Sequence, residues 1–248
     1  MGVATTTHLI LAGLPALRPA SALSDTALSD LPGLLIPALG ETLTMVGIVM
    51  VLVVAVGTVI AVCLHNMAPG GLFENAKIYN VLSWIVNVGR SLPFLVLMAA
   101  IVPFTRLITG TNIGIAAAVV PMTIAGIPFF ARIVENSLRD VPRSVTQAAK
   151  ASGGYTLQII RTAQLGEAIP AIMGGLTINT IAMIEYSAIA GTIGAGGIGY
   201  VAVTYGYQRF DNTVMLATVI LLILLVTTVQ LIGDGLVKAT TPHLRRRA

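Results

Sequence analysis

Five long apolar runs frame this chain, near Leu43–His65, Val81–Val102, Ile113–Val134, Ala171–Ala190 and Asn212–Gly233. Each approaches or exceeds the roughly 20 helical residues that cross a hydrocarbon core. The last is the cleanest, since Val214–Val229 carries no charge. The second holds Arg90 and Pro93, so it either starts late or is kinked. The runs are continuous and do not alternate over ten-residue segments, which predicts spanning helices and not barrel strands. The fold class is therefore all-α, a polytopic membrane protein with five transmembrane helices.

One polar island breaks this pattern. Between the third and fourth runs, residues 135–170 form the longest hydrophilic segment, and within it Ser144–Gly154 reads SVTQAAKASGG. Pro142 interrupts the helix leaving the third run. Ser144 and Gln147 then have the S-x-x-Q spacing of a capping box, which predicts a new helix starting at Ser144. That helix runs about two turns to Gly153-Gly154, where a left-handed cap is free of steric penalty. A second short helix is expected over Thr156–Leu165. Two helices this short are marginal in water and must pack on something.

Composition agrees with the pattern. The chain is 56% hydrophobic and 10% charged, against about 25% charged in soluble domains. Cys63 is the single cysteine, so no intrachain disulfide is possible. His8, His65 and His243 are scattered, which argues against a zinc site. Nothing in the sequence calls for nucleic acid. The net charge of +4 matters through its placement. With five spans, Lys77, Arg90, Arg132, Arg139, Arg143, Lys150, Arg161, Lys238 and Arg245–Arg247 fall on one side, and only Arg18, Arg106 and Arg209 on the other. Eleven against three puts the first side in the cytoplasm and the N-terminus outside.

This divides the chain into an N-terminal extension over 1–40, a transmembrane domain over 41–237 and a basic cytoplasmic tail over 238–248. The extension holds an Ala20-Ser21-Ala22 triplet suited to signal cleavage, but no Lys or Arg precedes Arg18. A poorly ordered extension is the expectation.

The segment after Pro142 resembles the cytoplasmic loop of bacterial ATP-binding-cassette importer permeases. That loop reads E-A-A, three residues, Gly, nine residues, I-x-L-P. Ala148, Ala149, Gly153 and Leu165 are in register, with Gln147 for Glu, Ala163 for Ile and Gly166 for Pro. Ala76–Tyr79, Ile85–Phe94, Val102–Thr105, Arg132–Asn136, Tyr186–Ala188 and Gly194–Gly199 further resemble the methionine-importer permeases, over about residues 38–238. The resemblance implies a homodimer in the bacterial inner membrane and a separate ATPase, which binds ATP and Mg, docked on each loop. It also implies a substrate-binding protein outside, and no cofactor or covalent chemistry in this chain. Gln147, Ala148, Ala149, Gly153, Leu165 and Gly166 would be the coupling residues. Gln147 lacks the negative charge favoured at a helix N-terminus, a loss of roughly 0.3–1 kcal/mol to the helix, which implies weaker but intact docking. Gly166 implies a looser entry to the fourth span, with Pro170 setting the turn.

Gly194, Gly196, Gly197 and Gly199 complete a G-x-G-x-x-G, but no strand precedes it, so the dinucleotide reading fails. A tight external loop, open to backbone approach by the delivery protein, is the expectation. No GxxxxGK[ST] occurs, so the chain is not itself the ATPase. Intramembrane polar groups mark pathways or hold helices together, and Asn87, Arg90, Ser91, Asn179, Thr180, Glu185 and Ser187 admit both readings. Arg90 is about 13 Å deep if its span begins at Val81, or interfacial if it begins near Val88. Ala171, Gly175 and Asn179 form a small stripe suited to close packing with a helix of this or another chain. A permease for another small solute, a stand-alone secondary transporter and an intramembrane enzyme are the competing classes. No duplicated half supports the second and no buried nucleophile–base constellation the third.

Overall fold

A computed structural model describes residues 26–241. All regular structure among them is helical: α1 Leu31–Met67, α2 Ala76–Ser91, α3 Phe94–Ala100, α4 Val102–Thr109, α5 Ile115–Arg139, α6 Arg143–Ala151, α7 Thr156–Gly191, α8 Gly197–Val201, which continues as a π turn over Ala202–Tyr207, and α9 Asn212–Thr240. Four helices, α1, α5, α7 and α9, are long and apolar enough to cross a membrane, and α2 with α3, bent by 101°, makes a fifth where the pair is counted as one broken span.

Backbone chemistry sets the ends. Ala68 is extended at ψ 159° because Pro69 follows it, and Leu92 is extended at ψ 130° because Pro93 follows. The second run is thus broken at Leu92-Pro93. The first helix starts at Leu31, not near Leu43. It takes in ten residues of the expected extension, with Pro32 in its first turn, where a missing N–H costs nothing. The Ala20-Ser21-Ala22 triplet lies outside the described residues, as does the tail beyond Thr241.

The core is a three-helix crossing of α1, α5 and α7 around Met45, Val49, Val53, Met122, Phe130 and Met183, all fully buried. Glycines let the axes close up. A Cβ on Gly126 would stand 2.7 Å from Val53 and 3.1 Å from the Met183 sulfur, and one on Gly57 would stand 3.1 Å from the Phe130 ring. The small stripe on α7 packs within its own chain, Gly175 against Ile133 of α5 and Asn179 against Met50 of α1, while Ala171 is exposed. Outside this core, α9 lies along α7, with Gly233 seated on Thr177. Most of α9 remains uncovered.

The connections gather at two ends. One holds the loop after α1, the α5–α6–α7 segment and the close of α9. The other holds the start of α1, the α4–α5 and α7–α8 loops and Asp211, whose side chain caps α9 at the Val214 amide, 3.0 Å.

Candidate functional site

The polar island forms a helical hairpin at the first end. Its helix begins at Arg143, one residue before the predicted start, with Pro142 as N-cap and no side-chain cap bond. Ser144 therefore lies inside the first turn and the S-x-x-Q pair makes no capping box. Pro142, held at φ −57° and ψ 131°, already delivers the chain in an N-cap conformation. The other end forms as expected. Gly153 is left-handed at φ 81°, its amide donates to Lys150 O at 3.0 Å, and the Gly154 amide donates to Ala149 O at 3.1 Å. These bonds complete a Schellman stop.

The partner helix is not a separate short element. It continues from Thr156 to Gly191 as α7, passing through a π turn at Ile159–Gln164. Neither Gly166 nor Pro170 makes a turn; both lie inside the helix. Gly166 keeps the ladder amide that a proline would lack. The hairpin therefore stands directly on the fourth span. α6 packs on the π turn, where Ile159, Ile160, Ala163 and Gln164 are buried. Gln147, Ala148 and Gly153 face outward, Ala149 is half-buried, and Leu165 packs against the core.

Two polar contacts lock this end. Asn66, at the close of α1, and Gln164, in the π turn, exchange amide hydrogen bonds at 2.9 Å in both directions, fully buried. Replacing Asn66 with Leu is expected to destabilise the protein by about 1–3 kcal/mol, since Gln164 is left buried without a partner. Asn66→Leu with Gln164→Leu should recover much of that loss in thermal unfolding in detergent. A double variant no more stable than the single one would assign the loss to packing. The second contact centres on Glu135 of α5, whose side chain is wholly buried. It accepts from Arg132 at 2.5 Å and Arg139 at 2.6 Å. Arg132 also donates to Ser83 (3.1 Å) and Asn87 (2.8 Å), and Arg139 to the Tyr79 hydroxyl (2.9 Å), so the cluster ties α2 to α5. Neither the amide pair nor the cluster was singled out from sequence. The spacing of Arg132, Glu135 and Arg139 on one helix face was the available signal.

Between the loop after α1 and α6 lies a recess of about 600 Å³. Its wall carries His65, Arg139, Arg143, Gln147, Lys150 and Gln164.

The candidate pathway residues do not come together as one group. Asn179 and Ser187 are buried within the chain, the first donating to the Met50 sulfur and the second to Ile184 O, and Thr180 donates to Leu176 O. Asn87, Arg90, Ser91 and Glu185 are exposed. Arg90 is in the last turn of α2, roughly 21 Å along it from Ala76. Its guanidinium carbon is 5.8 Å from the Phe129 ring centre. The bend beyond it is pinned to the fourth span by Phe94, stacked on Tyr186 at 4.3 Å, with Glu185 beside that contact.

At the opposite end the glycine-rich loop turns inward. Gly194, Gly196 and Gly197 are left-handed. The Gly197 amide donates to the Glu41 carboxylate at 2.6 Å and the Ile198 amide to the Thr42 hydroxyl at 3.0 Å. Gly197 and Gly199 are buried, and a Cβ on Gly199 would collide with the backbone of Ala188. These two glycines thus bring the chain's own helices together and do not present backbone to an outside partner.

Comparison with known proteins agrees with this geometry. The chain is 48% identical over 205 residues to a probable D-methionine transport system permease protein, MetI, of Vibrio cholerae, covering 83% of this chain and 91% of that protein. It is 38% identical to the methionine import system permease protein MetP of Bacillus subtilis over 167 residues, 67% of this chain and 75% of that one. Its structure superposes on a chain from the inward-facing MetNI methionine ABC transporter with a TM-score of 0.84, at 39% identity, covering 87% of this chain and all of that one. An amino acid ABC transporter at 20% identity shares the fold, with a TM-score of 0.67. Residues 66–246 match the family of binding-protein-dependent transport system inner membrane components, and the chain, a multi-pass membrane permease and not an enzyme, belongs to that family.

Proposed function

We propose that this chain is the permease subunit of an ATP-driven methionine importer, working as a homodimer. Each α6–α7 hairpin docks one ATPase subunit, which binds ATP and Mg. A substrate-binding protein delivers methionine to the opposite face, and lipid surrounds the spans. The end carrying the hairpin faces the cytoplasm, in line with Lys77, Arg132, Arg139, Arg143, Lys150, Arg161 and Lys238 toward that end, against Arg106 and Arg209 toward the other.

The observation that carries this reading is the continuity of α7. A helix that receives α6 on its π turn and then runs through the core to Gly191 is a lever from the hairpin to the far side of the membrane. Ala148 and Gly153 give that hairpin a small outward face for a close-fitting partner. Closure of the ATPase pair draws the two hairpins together and turns the spans from inward- to outward-facing, and hydrolysis resets them. Asn87, Arg90, Ser91 and Glu185 are the pathway candidates, being polar and uncovered within the chain. Asn179, Thr180 and Ser187 hold the fold.

The test is uptake of labelled methionine into proteoliposomes holding this chain, its P-loop ATPase and the binding protein. Uptake should require all three and ATP. Uptake by this chain alone without ATP would make it a secondary transporter. ATP-dependent uptake of another amino acid, with methionine excluded, would reassign the substrate.

A further inference from the structure

The recess beside α6 has a charge balance that the coupling reading does not use. Three permanent cations, Arg139, Arg143 and Lys150, line about 600 Å³, with His65 at its side, and no carboxylate lines it. Of the carboxylates nearby, Glu135 is held by Arg132 and Arg139 and Glu74 by the Gly70 amide at 2.9 Å, while Asp140, exposed at the end of α5, does not line the recess. Among the described residues Arg143 and Lys150 make no ion pair. Arg143 is nevertheless positioned, its guanidinium lying 3.7 Å from where a Gly70 side chain would begin. Like charges that share one space repel one another, and an anion placed among them relieves that repulsion.

The surroundings specify which anion. The recess opens where the membrane helices end, between the close of α1 at Met67 and the close of α5 at Arg139. Its wall mixes the cations with Leu72, Leu138 and Val141. Phe73, Ile78 and Val81, on the adjoining loop and first turns of α2, are exposed aliphatic and aromatic groups of the kind that contact acyl chains. Polar cations above and apolar groups alongside match the two halves of an anionic phospholipid.

We propose that this recess binds the phosphate headgroup of an anionic phospholipid, held by Arg143 and Lys150, against the helix that couples to the ATPase. The inference rests on the reading above only for the cytoplasmic side of that leaflet. Gln147 lines the same space, so bound lipid touches the coupling helix itself and adjusts how firmly it stands on the π turn.

The assembled permease–ATPase complex, reconstituted in nanodiscs of equal phosphatidylglycerol and phosphatidylcholine, provides the test. After release, native mass spectrometry counts the lipids retained. Wild type should retain phosphatidylglycerol selectively. Arg143→Ala with Lys150→Ala should lower the ratio of bound phosphatidylglycerol to phosphatidylcholine roughly 30-fold, at about 1 kcal/mol per basic residue. Leu72→Glu, which adds a competing carboxylate off the coupling helix and removes no cation, should lower it too. Both variants must melt and assemble as wild type does, which separates lost binding from lost fold. Equal retention by wild type and the double variant overturns the proposal. Displacement of the lipid by millimolar inorganic phosphate assigns the site to a free anion. Retention by the permease alone but not by the complex assigns it to an acidic side chain of the ATPase. None of these readouts depends on methionine uptake, so failure of the transport reading is seen separately.

Discussion

Replacing Glu135 with Ala is expected to destabilise the protein by about 3–5 kcal/mol, the usual cost of removing one partner from a buried ion pair. The carboxylate is completely buried and is the shared acceptor for Arg132 and Arg139. Without it the Arg132 side chain, 14% exposed, is left as a desolvated cation. The loss should spread, because Arg132 carries the bonds to Ser83 and Asn87 and Arg139 the bond to Tyr79. α2 should therefore loosen from α5, and Tyr79 and Asn87 should become open to exchange before the core melts. Glu135→Gln keeps the shape and loses the charge, so it should fall between Ala and wild type. Thermal unfolding in detergent checks the order. If Glu135→Ala melts with wild type, the cluster contributes nothing and the helices are held by packing alone. If Arg132→Leu, Glu135→Leu and Arg139→Leu together restore the melting point, the ion pairs set specificity and not stability.

The architecture was legible in the sequence where one physical signal dominates. Hydropathy located the four long spans and the bent α2–α3 pair because a hydrocarbon core demands length and apolarity at once. It misplaced their ends because a helix stops where the backbone changes, not where polarity does. α1 therefore starts at Leu31, twelve residues before the apolar run near Leu43. The break at Leu92-Pro93 follows from proline chemistry, but its 101° depends on Phe94 stacking on Tyr186, a contact 92 residues away in sequence. The hairpin was legible at Gly153, whose left-handed conformation is a local property. It was not legible at Ser144, where Pro142 supplied the cap first. The continuity of α7 was missed because Gly166 and Pro170 both suggest an interruption, whereas only the tertiary packing of Ile159–Gln164 keeps the helix running through its π turn. Glu135 and the Asn66–Gln164 pair were invisible as partners, since 98 residues separate the two amides. The small stripe of α7 was visible, but its partner helices were not.

Placing tryptophan at Ala148 is expected to uncouple ATP hydrolysis from transport. Ala148 is exposed on α6, so the side chain has solvent around it in the isolated permease, and the fold should stand. Against a closely fitting ATPase the same group overpacks the interface, at about 1–3 kcal/mol, which corresponds to roughly a 5- to 150-fold loss of productive docking. Methionine uptake should fall accordingly while the ATPase continues to turn over. Gly153→Trp should behave in the same way with one added term. Nothing lies within 4 Å of where its Cβ would stand, but φ of 81° is left-handed, at a cost of about 1–2 kcal/mol to any residue with a Cβ. Gly153→Asn separates the two effects, because asparagine tolerates that conformation and is small; it should retain most transport. Uptake and ATP hydrolysis measured on the same proteoliposomes decide the matter. Normal uptake by both tryptophan variants would reduce the hairpin to a connection between spans. A joint fall of uptake and hydrolysis would mean that the ATPase is lost from the complex altogether. Loss of uptake with hydrolysis preserved is what a rigid push from α6 through the π turn into α7 requires, because the force then has no other route across the membrane.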